Sequence, residues 1–89
     1  MRSKERTGDI EIGLAHVIRN LRIKNELSQK SLAAKAGFSV SYMYCLELGT
    51  RSVGVGIIAK LADAFGISMS DLLKLAEEQV KKLTENKGE

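Results

Sequence analysis

The sequence has no proline and no tryptophan, and its aromatic residues are two tyrosines and two phenylalanines. With few β-favouring aromatics and abundant Leu, Ile, Ala, Lys and Glu, the composition favours helices over strands. The single cysteine, Cys45, excludes an intramolecular disulfide and fits a reducing compartment. No uninterrupted apolar run approaches ~20 residues, so no segment reads as a transmembrane helix. The first nine residues carry charge where a secretory signal needs an apolar run, and the expected location is cytoplasmic. One histidine, His16, and one cysteine make no metal-ligand set of adequate spacing, and His16 reads as a surface or edge residue. No Ser/His/Asp set, carboxylate pair with a cleft, or phosphate loop is visible, and Gly54-x-Gly56 is too short to form one. The chain is therefore not read as an enzyme, and no cofactor, small-molecule ligand or membrane partner is expected.

What is present suits one domain. Eighty-nine residues support a single modest core, and 44% apolar with 28% charged residues is an ordinary globular balance. The net charge is +3, unevenly spread. Residues 1–69 are the basic part, whereas residues 70–89 carry a slight acidic excess. A basic body suits a polyanionic partner, though many ordinary proteins are as basic.

Helical spacing recurs along the chain. Residues 1–9 read as a flexible charged arm, in which Arg2, Lys4 and Arg6 are candidates to enter a minor groove. Leu14, Ile18 and Leu21 place a first helix over 10–25. Ser28 caps a second, rich in helix formers, which Gly37 ends. Ser39 caps a third over 40–48, with Met43 and Leu46 inward and Gly49 closing it. Val55, Ile58, Leu61, Ala62 and Phe65 give a fourth, ended by Gly66. Ser68, with Asp71 three residues on, starts a fifth over 69–84. Residues 85–89 should be a disordered tail. The domain is thus expected over 10–84, and the fold class is all-α, a compact five-helix domain.

The informative stretch is 28–49. Two short helices separated by Gly37-Phe38-Ser39 must cross steeply, and Ala33 permits the close approach. Leu32, Phe38, Met43 and Leu46 fill the angle. The third helix is left with an exposed surface of Val40, Ser41, Tyr42, Tyr44 and Cys45, and a helix of this width fits the major groove of B-form DNA.

The run Leu27-Ser28-Gln29-x-x-Leu32-Ala33-x-x-Ala36-Gly37-Phe38-Ser39-x-x-x-Met43-x-x-Leu46-Glu47-x-Gly49 resembles the Cro/cI-type helix-turn-helix repressors, also called the xenobiotic-response-element-like family. The resemblance extends over roughly 12–73, and the combined spacing is far more specific than any short motif. It implies a lambda-repressor-like fold and a sequence-specific, double-stranded DNA-binding transcription regulator. It implies that Gln29 contacts a phosphate and braces the reading helix; otherwise Gln29 is an exposed helix former. It implies that Val40, Ser41 and Cys45 touch base edges, with Tyr42 and Tyr44 nearby, and that Arg22 and Glu47 form a partly buried ion pair. The cap residues Ser28 and Ser39 are grouped with this DNA-facing set, and Arg51 is the candidate for a phosphate or supplementary base contact.

The sequence also departs from the family. None of the expected base readers is an Arg or Gln of the kind that pairs bidentately with a base. Glu26 stands where the family usually has glycine, and Asn25 is expected to take the positive φ instead. Val53 and Gly54 replace the usual Pro-Ser or similar pair. Leu48 replaces a polar, phosphate-contacting residue.

In the fifth helix Leu72, Leu75, Ala76 and Leu83 make one stripe, while Leu73 and Val80 face another way. A homodimer through this helix and the end of the fourth is expected, with Ile57, Leu73, Ala76 and Val80 as its contacts, on a near-palindromic operator. Glu77-Glu78 and Lys81-Lys82 read as a solvated face. Cys45 reads as a small side chain beside DNA rather than a redox switch. The regulator types in view are a phage-type repressor, a restriction–modification controller or a stand-alone autoregulator. The rival reading is a protein-interaction module, such as an antitoxin that binds a partner protein through the fifth helix.

Overall fold

Helical periodicity is realised as α1 (Arg2–Lys24), α2 (Gln29–Ala36), α3 (Val40–Leu48), α4 (Val55–Phe65) and α5 (Met69–Lys87). The computed structural model describes the backbone of residues 2–87 and the side chains of residues 8–83, and among these residues there is no strand. Nor is any described helix long and apolar enough to cross a membrane.

The core is one cluster. Ile18, Leu32, Met43, Leu61 and Leu72 are its largest fully buried side chains, one from each helix. Phe38, Phe65 and Ile67, from the inter-helix segments and the end of α4, pack against it. The most extensive helix pairing is α1 against α5, and α2 against α3 comes next. Gly13 makes the first pairing possible. A Cβ at this position would lie 2.7 Å from Val80 Cγ2 and 2.9 Å from the Ala76 carbonyl oxygen, closer than real contacts allow.

Three helix ends close in the same way. The amide of Leu27 donates to the Arg22 carbonyl, that of Phe38 to Ala33, and that of Ile67 to Ala62. Each closure needs a left-handed residue just before the donor. Gly37 and Gly66 supply two of them, and Glu26 the third at φ 58°. Asn25 was the expected positive-φ residue. It keeps a negative φ, and its side-chain amide donates to the Leu21 carbonyl at 2.7 Å.

Other expectations change as well. The charged arm expected over 1–9 is replaced by helix from Arg2 onward. Residues 2–7 contain helix formers and no proline, and extending a nucleated helix past Gly8 costs only about 1 kcal/mol. The side chains of Arg2, Lys4 and Arg6 lie outside the described residues. At the other end α5 continues past Thr84 to Lys87, because Glu85 and Lys87 are also helix formers. Met1, Gly88 and Glu89 lie outside the described residues. Val55 is exposed rather than inward, because as the first residue of α4 it projects beyond the core.

Ala76 was expected at a dimer contact but is fully buried against α1, since the Gly13 approach turns this side of α5 inward. Leu75, expected in one stripe with Leu72 and Ala76, is exposed together with Leu73 while those two are buried.

Two substitutions test this packing by urea unfolding. Gly13→Ala should lower stability by about 1–3 kcal/mol, because the added methyl meets backbone as well as a side chain. Glu26→Gly should raise it by about 0.5–1 kcal/mol, because the left-handed conformation penalises a side chain by slightly more than the added chain entropy of glycine.

Candidate nucleic-acid interface

The local sequence positions α3 from both ends. Ser39 stands before it in extended conformation, and its Oγ accepts from the Tyr42 amide at 3.1 Å. Gly49 ends it in the left-handed conformation, and its amide donates to the Leu46 carbonyl. A Cβ on Gly49 would sit 3.2 Å from the Ile12 Cα, so this end is pressed against α1. Ser28 caps α2 in the same manner, its Oγ accepting from the Ser31 amide at 3.0 Å. Both cap serines therefore have a structural job, whatever else their hydroxyls meet.

A polar network ties α3 to the body. Arg22 Nε donates to Glu47 Oε2 at 2.6 Å, and Arg22 Nη2 donates to Glu47 Oε1 at 3.0 Å. The same guanidinium donates through Nη1 to the Leu27 carbonyl at 3.0 Å. Gln29 Nε2 donates to Glu47 Oε1 at 3.1 Å. Glu47 thus receives three bonds from two helices, and its bonds to Arg22 have the paired geometry that makes such contacts strong. Hydrogen bonding from Glu47 raises the Arg22 pKa above its ordinary value, against the opposing effect of burial. Gln29 faces α3 through its amide nitrogen rather than standing free on the surface.

The outward side of α3 is a continuous stripe. Val40, Tyr44 and Leu48 are 45%, 55% and 54% exposed, Ser41 is exposed, and Cys45 is half-buried. Tyr42 lies to one side. Its ring meets the edge of Phe38 at 5.4 Å between centroids, and it packs against the core. The Lys60 ammonium stands 5.9 Å from the Phe38 centroid, extending that cluster to α4. Arg51 is exposed just beyond α3 and lines a shallow recess with Cys45, Thr50 and Ser52.

On the opposite side Arg19 lines a recess with Gln29, Tyr44 and Leu48. Arg19 had no assigned role in the sequence reading. The signal available was its place three residues before Arg22, which puts both on one side of α1. Among the described residues no group of three or more His, Cys, Asp or Glu side chains comes together as a metal site, and His16 is exposed on α1.

Two short helices joined through Gly37-Phe38-Ser39, the second presenting a braced outer stripe, define a helix-turn-helix DNA-binding unit. The helix-turn-helix family model matches residues 18–72, and the chain belongs to that family, in its Cro/cI-type branch of transcription regulators that bind double-stranded DNA. The control protein C.BamHI of Bacillus amyloliquefaciens is 32% identical over 68 residues, covering 75% of this chain and 84% of the relative. The control protein C.MunI of a Mycoplasma species is 32% identical over 72 residues, covering 80% and 97%. The crystal structure of the clp gene regulator ClgR from Corynebacterium glutamicum superposes with a TM-score of 0.83 at 23% identity, over 89% of this chain and 84% of that one. That likeness speaks to the fold.

Glu47→Ala should cost about 1–3 kcal/mol in urea unfolding, since it strands the half-buried Arg22 guanidinium without its carboxylate. A double-mutant cycle with Arg22→Ala should recover much of that loss, because removing both partners leaves no uncompensated charge.

Proposed function

We propose that this chain is a cytoplasmic transcription regulator that binds a near-palindromic operator as a homodimer, with α3 of each protomer in the major groove. The observation that carries the reading is the outer stripe of α3, held by the Arg22–Glu47–Gln29 network and flanked by Arg19 and Arg51. A helix about 10–12 Å across fits a major groove about 12 Å wide. The two flanking arginines are placed for the phosphates on either side, and the N-terminus of α2 offers amide donors to a third. Similarity to two proteins named as control proteins supports a regulatory role.

The dimer rests on the exposed apolar surface of α5. Leu73 is its exposed member; Ile57 of α4 is partly covered, and Val80 is turned toward Gly13 of α1. Two copies related by a two-fold axis place their reading helices one DNA turn apart, about 34 Å.

Sedimentation at micromolar concentration should show the dimer, and a monomer that binds DNA as a monomer would refute it. Selection from a randomised duplex library at two salt concentrations should return a near-palindromic consensus with steep salt dependence. The variant Gln29→Ala with Ser41→Ala should keep its helical circular dichroism and lose about tenfold or more in operator affinity. Unchanged affinity would remove Gln29 and Ser41 from the DNA-contacting set.

A further inference from the structure

The outer stripe of α3 is unusual in what it can say to a base. Val40, Tyr44 and Leu48 form one row at i, i+4 and i+8, and Ser41 and Cys45 form the row beside it. Neither row contains an Arg, Lys, Asn, Gln, Asp or Glu. The only charged residue of α3 is Glu47, and its carboxylate is occupied by Arg22 and Gln29. The side chains that pair bidentately with guanine or adenine are therefore missing from the surface that would lie on the groove floor. Charge lies only at the margins, with Arg19 beside Tyr44 and Leu48, and Arg51 beside Cys45.

An apolar floor between two cationic edges matches one feature of the major groove. Phosphates line its walls, and the apolar group on its floor is the C5 methyl of thymine. We propose that this protein selects its operator through thymine methyl groups, met by Val40, Cys45 and the ring of Tyr44. Ser41 donates or accepts without strong preference. This rests on α3 being the DNA-reading element. Leu48, at the far end of the row beside Arg19, packs toward the sugar-phosphate wall. A corollary concerns modified DNA. 5-Methylcytosine carries its methyl where thymine does, so a 5-methylcytosine–guanine pair replaces a contacted thymine–adenine pair at lower cost than cytosine–guanine.

The test uses the intact chain and the duplex recovered from the randomised library, prepared with thymine or with deoxyuridine in the half-sites. Loss of each contacted methyl should lower affinity about fourfold. Val40→Ala and Cys45→Ala should each reduce the thymine-to-deoxyuridine ratio, losing more affinity for the thymine duplex than for the other. The 5-methylcytosine duplex should bind more tightly than the cytosine duplex. Sequence-selective binding with equal affinity for thymine and deoxyuridine duplexes overturns the proposal while leaving α3 as the reader. So does a recovered half-site without thymine, a preference undiminished in both variants, or equal binding of the cytosine and 5-methylcytosine duplexes. A library that enriches no sequence overturns the DNA-reading assignment itself, and the proposal with it.

Discussion

The angle at which α3 leaves the body depends on the Arg22 guanidinium, which donates to Glu47 on α3 and to the Leu27 carbonyl at the entrance of α2. Three consecutive elements are thereby referred to one planar group. Glu47 in turn accepts from Gln29, so the first residue of α2 is tied to the penultimate residue of α3. Ion pairs of this kind repay their desolvation only when geometry is good and remaining lone pairs are met. Here they are met, since among the described residues no buried side-chain polar atom lacks a partner. The larger return is orientation. A helix of nine residues has too few turns to hold itself against a body, and the network supplies a directional constraint that apolar packing lacks.

Apolar packing sets the remaining distances. Met43 and Leu46 anchor the inner side of α3, and Phe38 fills the corner between α2 and α3. On the far side of α1, Gly13 allows α5 to lie close enough to bury Ala76 and Leu72 completely. The body is therefore built around α1, with α5 packed along it and α3 braced by its Arg22.

The interface proposed for DNA divides affinity from discrimination. Phosphate contacts supply most of the binding free energy and its salt dependence, and they can be made by Arg19, Arg51 and backbone amides. Under the proposed function, discrimination falls to a stripe of α3 with one hydroxyl-bearing small residue and several apolar ones. A surface of this kind recognises shape and methyl groups better than hydrogen-bond patterns.

Much of this was legible in the residues. Ser28, Ser39, Gly37, Gly49 and Gly66 mark the ends of α2, α3 and α4 because capping is local chemistry, decided within a few residues. The spacing of Leu32, Ala33, Met43 and Leu46 marked the inward faces of the first two of these helices, and all four are buried. Tertiary contact decided what distance along the chain conceals. Val55 points outward, Ala76 inward and Leu75 outward, because an apolar residue does not announce which of two faces its helix will bury. Glu26, not Asn25, takes the left-handed conformation, because the Leu27–Arg22 closure fixes the residue just before Leu27 whatever its side chain. Arg19 and Leu48, 29 positions apart in number, share one recess only once α3 is laid against α1. Local propensities end helices, but the faces those helices show are settled by what packs against them.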